Sequence, residues 1–162
     1  MDEELSARIS IFLAKRQARL AKELGAGIDG VVYEVIDNRN HGRWAVKFHR
    51  SIDGFRRERD VYLRLKECGI FEVQGCSIPE LLAYDERVLA IEMTIVDRPF
   101  VLDFASAWLD TVPEFTPDPY GDEERKERFG DRWLLVQRIV IELRLHGVYL
   151  FDLSPGNIAF RE

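Results

Sequence analysis

Leu24-Gly25-Ala26-Gly27-Ile28-Asp29-Gly30-Val31-Val32-Tyr33-Glu34-Val35-Ile36-Asp37 is the stretch on which the reading of the chain turns. Gly25, Gly27 and Gly30 fit G-x-G-x-x-G, a spacing shared by several phosphate-binding folds and by many plain turns. The residues after the third glycine decide between them. In a dinucleotide-binding crossover that glycine opens a helix, whereas Val31 to Ile36 is β-branched and aromatic, which suits a strand. The glycines therefore cap a hairpin.

A turn at Asn38-Arg39-Asn40-His41-Gly42 leads into a second strand, Trp44 to His49, which carries Ala45-Val46-Lys47. A glycine hairpin followed by a strand lysine resembles the order in which a protein kinase covers ATP. Amides of a glycine turn can approach phosphate oxygens because no Cβ intervenes, and a lysine supplies a point charge to the α and β phosphates. The alternative is an ordinary hairpin whose lysine snorkels to solvent.

Beyond a turn at Ser51 to Gly54, Phe55 to about Cys68 has helical spacing, with Phe55, Val61, Tyr62 and Leu65 on one face. At about 100° per residue, Glu58 projects into that apolar face, while Arg56, Arg59, Asp60, Arg64 and Glu67 lie off it. A carboxylate so placed needs a cation. Lys47 on the adjacent strand is the candidate, the alternative being a Glu58 that swings out at the edge of the stripe.

Working outward, residues 3 to about 17 set Leu5, Ile9, Phe12 and Leu13 at three-to-four spacing, which predicts an amphipathic helix. Arg19 to Leu24 is too short to assign alone, although a strand there would complete the hairpin. Ile78 to Tyr84 and Arg87 to Ile95 read as two further strands of a small antiparallel sheet. Glu92-Met93-Thr94 falls where a hinge strand would leave it, so that backbone groups of Glu92 and Thr94 could reach an adenine. Pro99 marks the departure from the sheet, because proline cannot donate to a ladder. Val101, Leu102, Phe104, Ala105 and Trp108 have helical spacing. Pro113, Pro117, Pro119 and Gly121 then predict a loop. Asp122 to His146 reads as a long helix that can break at Gly130, and its second half, apolar nearly all round, should be buried.

Gly147 closes that helix, and Val148-Tyr149-Leu150-Phe151-Asp152-Leu153-Ser154-Pro155-Gly156-Asn157 comes next. Taken alone, D-x-x-x-x-N also describes a turn with Asp and Asn caps. After a buried helix, and downstream of a glycine loop, a strand lysine and a helix glutamate, Asp-Leu-x-Pro-x-Asn resembles the catalytic loop of the protein kinase-like superfamily. Its Pro-Gly-Asn form is similar to that of the aminoglycoside and choline phosphotransferases and other atypical kinases. The resemblance covers residues from about 19 to 160.

The resemblance implies an α+β, protein kinase-like domain over 1–162. Its N-terminal lobe, 1–95, would hold an antiparallel sheet with one key helix, and its reduced helical C-terminal lobe would be 96–162. Asp152 and Lys47 would be the catalytic residues, Asp152 accepting the proton of a substrate hydroxyl or orienting it. Asn157 would bind Mg2+. Gly25, Gly27, Gly30, Ala45, Lys47, Glu58, Glu92 and Thr94 would form the ATP site. The chain departs from the pattern in two places. Leu150 and Phe151 replace the His and Arg that usually precede the catalytic Asp, and no counterpart of the Asp-Phe-Gly aspartate is found before Glu162. Transfer of the ATP γ-phosphate to a hydroxyl acceptor is the first expectation. A nucleotide-binding pseudokinase that docks a partner is the second, and an interaction module without ATP the third.

Composition narrows the classes. The 162 residues are 46% hydrophobic and 32% charged with net charge −6, which predicts a soluble, cytoplasmic domain without general attraction for nucleic acid or anionic membrane. The N-terminus lacks the basic start of a signal peptide. Cys68 and Cys76 are spaced for neither a redox pair nor a zinc site, so free thiols are expected. The apolar faces of the helix at 133–145, including Leu135, Ile139, Val140 and Ile141, predict a homodimer or a partner contact.

Overall fold

The structure, a computed structural model, describes residues 3–112, 114 and 122–161. The loop expected from Pro113, Pro117, Pro119 and Gly121 lies outside the described residues. In chain order the elements are α1 (Glu3–Arg16), β1 (Ala18–Ala26), β2 (Gly30–Asp37), β3 (Arg43–His49), α2 (Ile52–Glu67), β4 (Glu72–Val73), β5 (Cys76–Ser77), β6 (Leu81–Asp85) and β7 (Ala90–Met93). After these come β8 (Phe100–Val101), β9 (Trp108–Leu109), α3 (Asp122–Phe129), a 3-10 turn (Gly130–Arg132), α4 (Trp133–Leu145), β10 (Val148–Tyr149) and β11 (Ile158–Ala159). The fold is mixed α+β. Its chain divides into two compact units, 1–59 with 80–95, and 60–79 with 96–162.

The first unit is built on a five-stranded antiparallel sheet in the order β1-β2-β3-β7-β6. Successive side chains of a strand point to opposite faces. On β3 this separates Trp44, Val46 and Phe48 from Ala45, Lys47 and His49. Phe48 meets Phe12 of α1 edge to face, with ring centroids 5.2 Å apart. Leu5, Ile9 and Phe12 are buried with Val31, Tyr33, Val35 and Val46 in one core, as the spacing of α1 predicts. Against the other face lies the start of α2, where Phe55 packs on His49 with centroids 5.6 Å apart.

The β1–β2 turn is the glycine stretch. Gly27 N–H donates to Gly30 O at 2.9 Å, and Ile28 stands 93% exposed at the tip. At Gly30 a Cβ would lie 2.3 Å from Phe48 O. The close approach of β2 to β3 therefore admits only glycine there.

The second unit contains the end of α2, the helices α3 and α4 and two small sheets. One sheet has the order β11-β8-β5-β4 and the other pairs β10 with β9. This corrects one expectation. The segment from Val101 to Trp108 is not a helix: Phe100–Val101 pairs with Ile158–Ala159, and Trp108–Leu109 with Val148–Tyr149. Asp103 and Asp110, at φ 62 and 61, turn the chain where a helix would have had to continue. The buried Val101, Phe104 and Ala105 owe their spacing to a tightly turned, enclosed segment. The unit is accordingly less helical than expected, and residues 60–79 belong with it and not with the first unit.

The long helix does break at Gly130, whose φ of 51 is left-handed. Tyr62 of α2 meets Phe104 edge to face at 5.3 Å. Arg64 grips Asp110 through two hydrogen bonds of 2.8 Å and also donates to His146 O at 3.1 Å. Gly147, at φ 75, lies against this clamp, and a Cβ there would stand 2.4 Å from Asp110 Oδ1.

Candidate functional site

In the first unit, β3 points Lys47 toward α2, and the helical stripe of α2 points Glu58 back. Lys47 Nζ lies 2.7 Å from Glu58 Oε2. Both are buried, at 5% and 1% exposure. Burial pushes the Glu58 carboxyl up, but Lys47 beside it and the His49 hydrogen bond outweigh this and hold it below the usual carboxylate range. Ala45 sits two residues before Lys47 on the same face of β3, also buried.

The reading of the sequence missed His49. It is fully buried, and its Nε2 lies 2.6 Å from the same Oε2 of Glu58 that Lys47 contacts. The signal was present, since residues two apart on a strand share a face. A polar ring at that spacing, in a strand buried on both sides, needs a partner.

Gly25 and Gly27 differ from Gly30. A Cβ at either would meet nothing within 4 Å, and neither has a left-handed φ. Neither the chain's packing nor its backbone calls for glycine at these two positions.

The Glu92 side chain and the Thr94 N–H and hydroxyl have partners within the chain. Glu92 pairs in register with Val46, so its carboxylate lies on the face opposite Lys47, where it meets the Arg16 guanidinium of α1. Thr94 N–H donates to Glu80 O at 3.0 Å, and its hydroxyl accepts from Glu80 N–H at 2.9 Å.

In the second unit, the segment between β10 and β11 brings Asp152 and Asn157 together. Asn157 Nδ2 donates to Asp152 Oδ2 at 2.7 Å and to Asp152 O at 3.3 Å. Ser154 O accepts from the N–H groups of Asn157 and Ile158 at 3.0 and 2.9 Å, closing the Ser-Pro-Gly-Asn turn. Leu102 N–H donates to Asn157 O at 2.7 Å, which ties the turn to the β8 side of the sheet. Asp152 is exposed, so its carboxylate is open to a solute.

These two residues suit a hard cation. With the amide nitrogen of Asn157 turned to Asp152, its oxygen faces elsewhere, leaving one amide and one carboxylate oxygen as donors. Mg2+ takes such a small oxygen set and completes its shell with water and phosphate oxygens. Among the described residues no three His, Cys, Asp or Glu side chains are grouped as a protein-only metal site would require. No helix among them is long and apolar enough to cross a membrane. Cys68 is exposed, Cys76 is buried, and both are free thiols. The chain matches no family model, no curated protein and no solved structure.

Proposed function

We propose that the protein binds ATP and transfers its γ-phosphate to a hydroxyl acceptor, in the manner of a kinase-like phosphotransferase. The observation that carries this reading is the buried Lys47–Glu58 pair at 2.7 Å. A buried ion pair contributes little to stability compared with apolar residues of the same size, so its presence asks for another use. A lysine held in place by a carboxylate and aimed from a strand is suited to bind phosphate oxygens.

Gly25 and Gly27 support the same reading. Since no contact of the chain fills the space beside them, the bare backbone is free to approach a ligand. Lys47 would anchor the α and β phosphates, Glu58 would orient Lys47, and the amides of the glycine turn would cover the phosphates. In the second unit, Asn157 would hold Asp152, whose Oδ1 or Oδ2 would accept the proton of the acceptor hydroxyl or orient it. Bound Mg2+ would neutralise charge on the phosphates, and Asn157 is the residue that would hold it.

One observation favours a second reading, a nucleotide-binding pseudokinase that docks a partner: the Asp152 carboxylate already accepts a hydrogen bond from Asn157. Docking would use α4. Ile139 and Val140 are buried, contrary to the expectation that they help form an exposed patch, and the exposed apolar side chains are Leu134, Ile141 and Leu145, at 69, 58 and 79%. Their spacing of seven and four residues places them on one helix face, the face on which two copies or a partner would associate.

The test is γ-labelled ATP with wild type and Asp152→Asn. Wild type should release labelled phosphate or label a hydroxyl, and the variant should lose transfer while keeping the rise in melting temperature that ATP causes. Equal loss of transfer and binding would assign Asp152 to the metal, and absence of transfer with intact binding in wild type would select the docking reading.

A further inference from the structure

The geometry points to His49 as a second clamp on Glu58, one that keeps the glutamate turned inward without nucleotide and so leaves Lys47 permanently set for phosphate. The inference rests on the nucleotide-binding reading and specifies how that site is controlled. Glu58 Oε2 is 2.6 Å from His49 Nε2 and 2.7 Å from Lys47 Nζ, so one carboxylate oxygen accepts from two donors on the same face of β3. A carboxylate held by one lysine can be released when that lysine moves to a phosphate. One that is also held by a fully buried imidazole stays where it is.

The imidazole is itself fixed on three sides. The His49 backbone N–H donates to Leu89 O at 2.9 Å, which sets ring Nδ1 3.3 Å from the same oxygen. Leu89 adopts a left-handed φ of 51 to present the carbonyl, a conformation that a residue other than Gly, Asn or Asp seldom takes without a structural reason. On the third side, Phe55, three residues before Glu58 on α2, packs edge to face on the ring. Helix α2 is thus tied to β3 through the same histidine by a hydrogen bond and by a ring contact.

The test uses two variants of the full chain. His49→Phe keeps an aromatic ring against Phe55 but removes the donor, whereas His49→Gln loses the ring but keeps an N–H near the position of Nε2. MgATP affinity should fall about tenfold in His49→Phe, equivalent to about 1.4 kcal/mol, and stay near wild type in His49→Gln. The reverse order would make His49 a packing residue and overturn the inference. If wild type binds no ATP, the nucleotide-binding reading fails by itself, and the clamp is read separately by denaturing nucleotide-free Lys47→Met, His49→Phe and the double variant. Two donors on one carboxylate predict that the double variant loses more stability than the sum of the single losses, failure to fold included, because only then is Glu58 buried with neither donor. Additive losses would overturn the clamp.

Discussion

Replacing the three glycines of the β1–β2 turn by alanine, one at a time, separates what the fold requires from what a ligand requires. At Gly30 the new Cβ would stand 2.3 Å from the Phe48 carbonyl oxygen, where ordinary contact begins at 3.4 Å. The obstacle is backbone of the neighbouring strand, so β2 and β3 must part by about 1 Å, which is overpacking of the kind that costs about 1–3 kcal/mol. In a domain of this size each kcal/mol lowers the melting temperature by about 2–4 °C, so Gly30→Ala should lose about 2–12 °C. Gly25 and Gly27 have open space and no left-handed φ. There alanine should leave the nucleotide-free protein unchanged or raise its stability by about 0.4–1 kcal/mol, through a less flexible unfolded chain. The same two variants should weaken the response to ATP, because each puts a methyl group where a phosphate would approach. Thermal unfolding of the three variants, each with and without MgATP, reads both effects. A Gly30→Ala protein as stable as wild type, or Gly25→Ala and Gly27→Ala proteins that bind ATP normally, would refute the reasoning.

Glu58→Ala leaves the buried Lys47 and His49 without their anion and should cost about 3–5 kcal/mol, measured by denaturant unfolding at neutral pH. Because Lys47 and His49 hold the folded Glu58 carboxyl below its ordinary value of 4.5, the group's contribution is present above that pH and is lost as pH falls toward the folded value. The stability gap between wild type and Glu58→Gln should therefore narrow in acid, and a gap that stays constant from pH 7 to about pH 3 would contradict the assignment. Gly147→Ala combines a left-handed φ with a Cβ 2.4 Å from Asp110 Oδ1, and it should lower the melting temperature by weakening the Arg64–Asp110 clamp. Changing Leu134, Ile141 and Leu145 together to polar residues should turn a dimer into a monomer in light scattering without unfolding it. A wild type that is already monomeric at high micromolar concentration would remove α4 as the surface on which two copies associate.

Where one periodicity dominated, the sequence was easy to read. The β-branched run from Val31 to Ile36 and the stripe of Phe55, Val61, Tyr62 and Leu65 each specify an element and its buried face. An acid in the middle of such a stripe pointed to the lysine facing it, and the Lys47–Glu58 contact is where those two patterns meet. Residues 100–109 were illegible for the opposite reason. Strands of two residues carry no period, and Phe100–Val101 finds its partner in Ile158–Ala159, far along the chain, while a three-to-four spacing of buried residues imitated a helix. Nothing in the local pattern foretold that Arg16 would engage the Glu92 side chain or that Glu80 would pair with Thr94. His49 was overlooked because a histidine in an apolar strand carries no fixed charge that demands a partner, although it shares with Lys47 the face that α2 covers.

The central claim is that the glycine turn and Lys47 bind the phosphates of ATP, and a titration of wild type and Lys47→Met with ATP, with and without magnesium, followed by thermal unfolding, tests it most directly. At ATP about 100 times its dissociation constant, linkage adds about 2.7 kcal/mol, a rise of about 5–11 °C in wild type that Lys47→Met should lose. An unchanged melting temperature of wild type at millimolar ATP, under both conditions, would contradict the account.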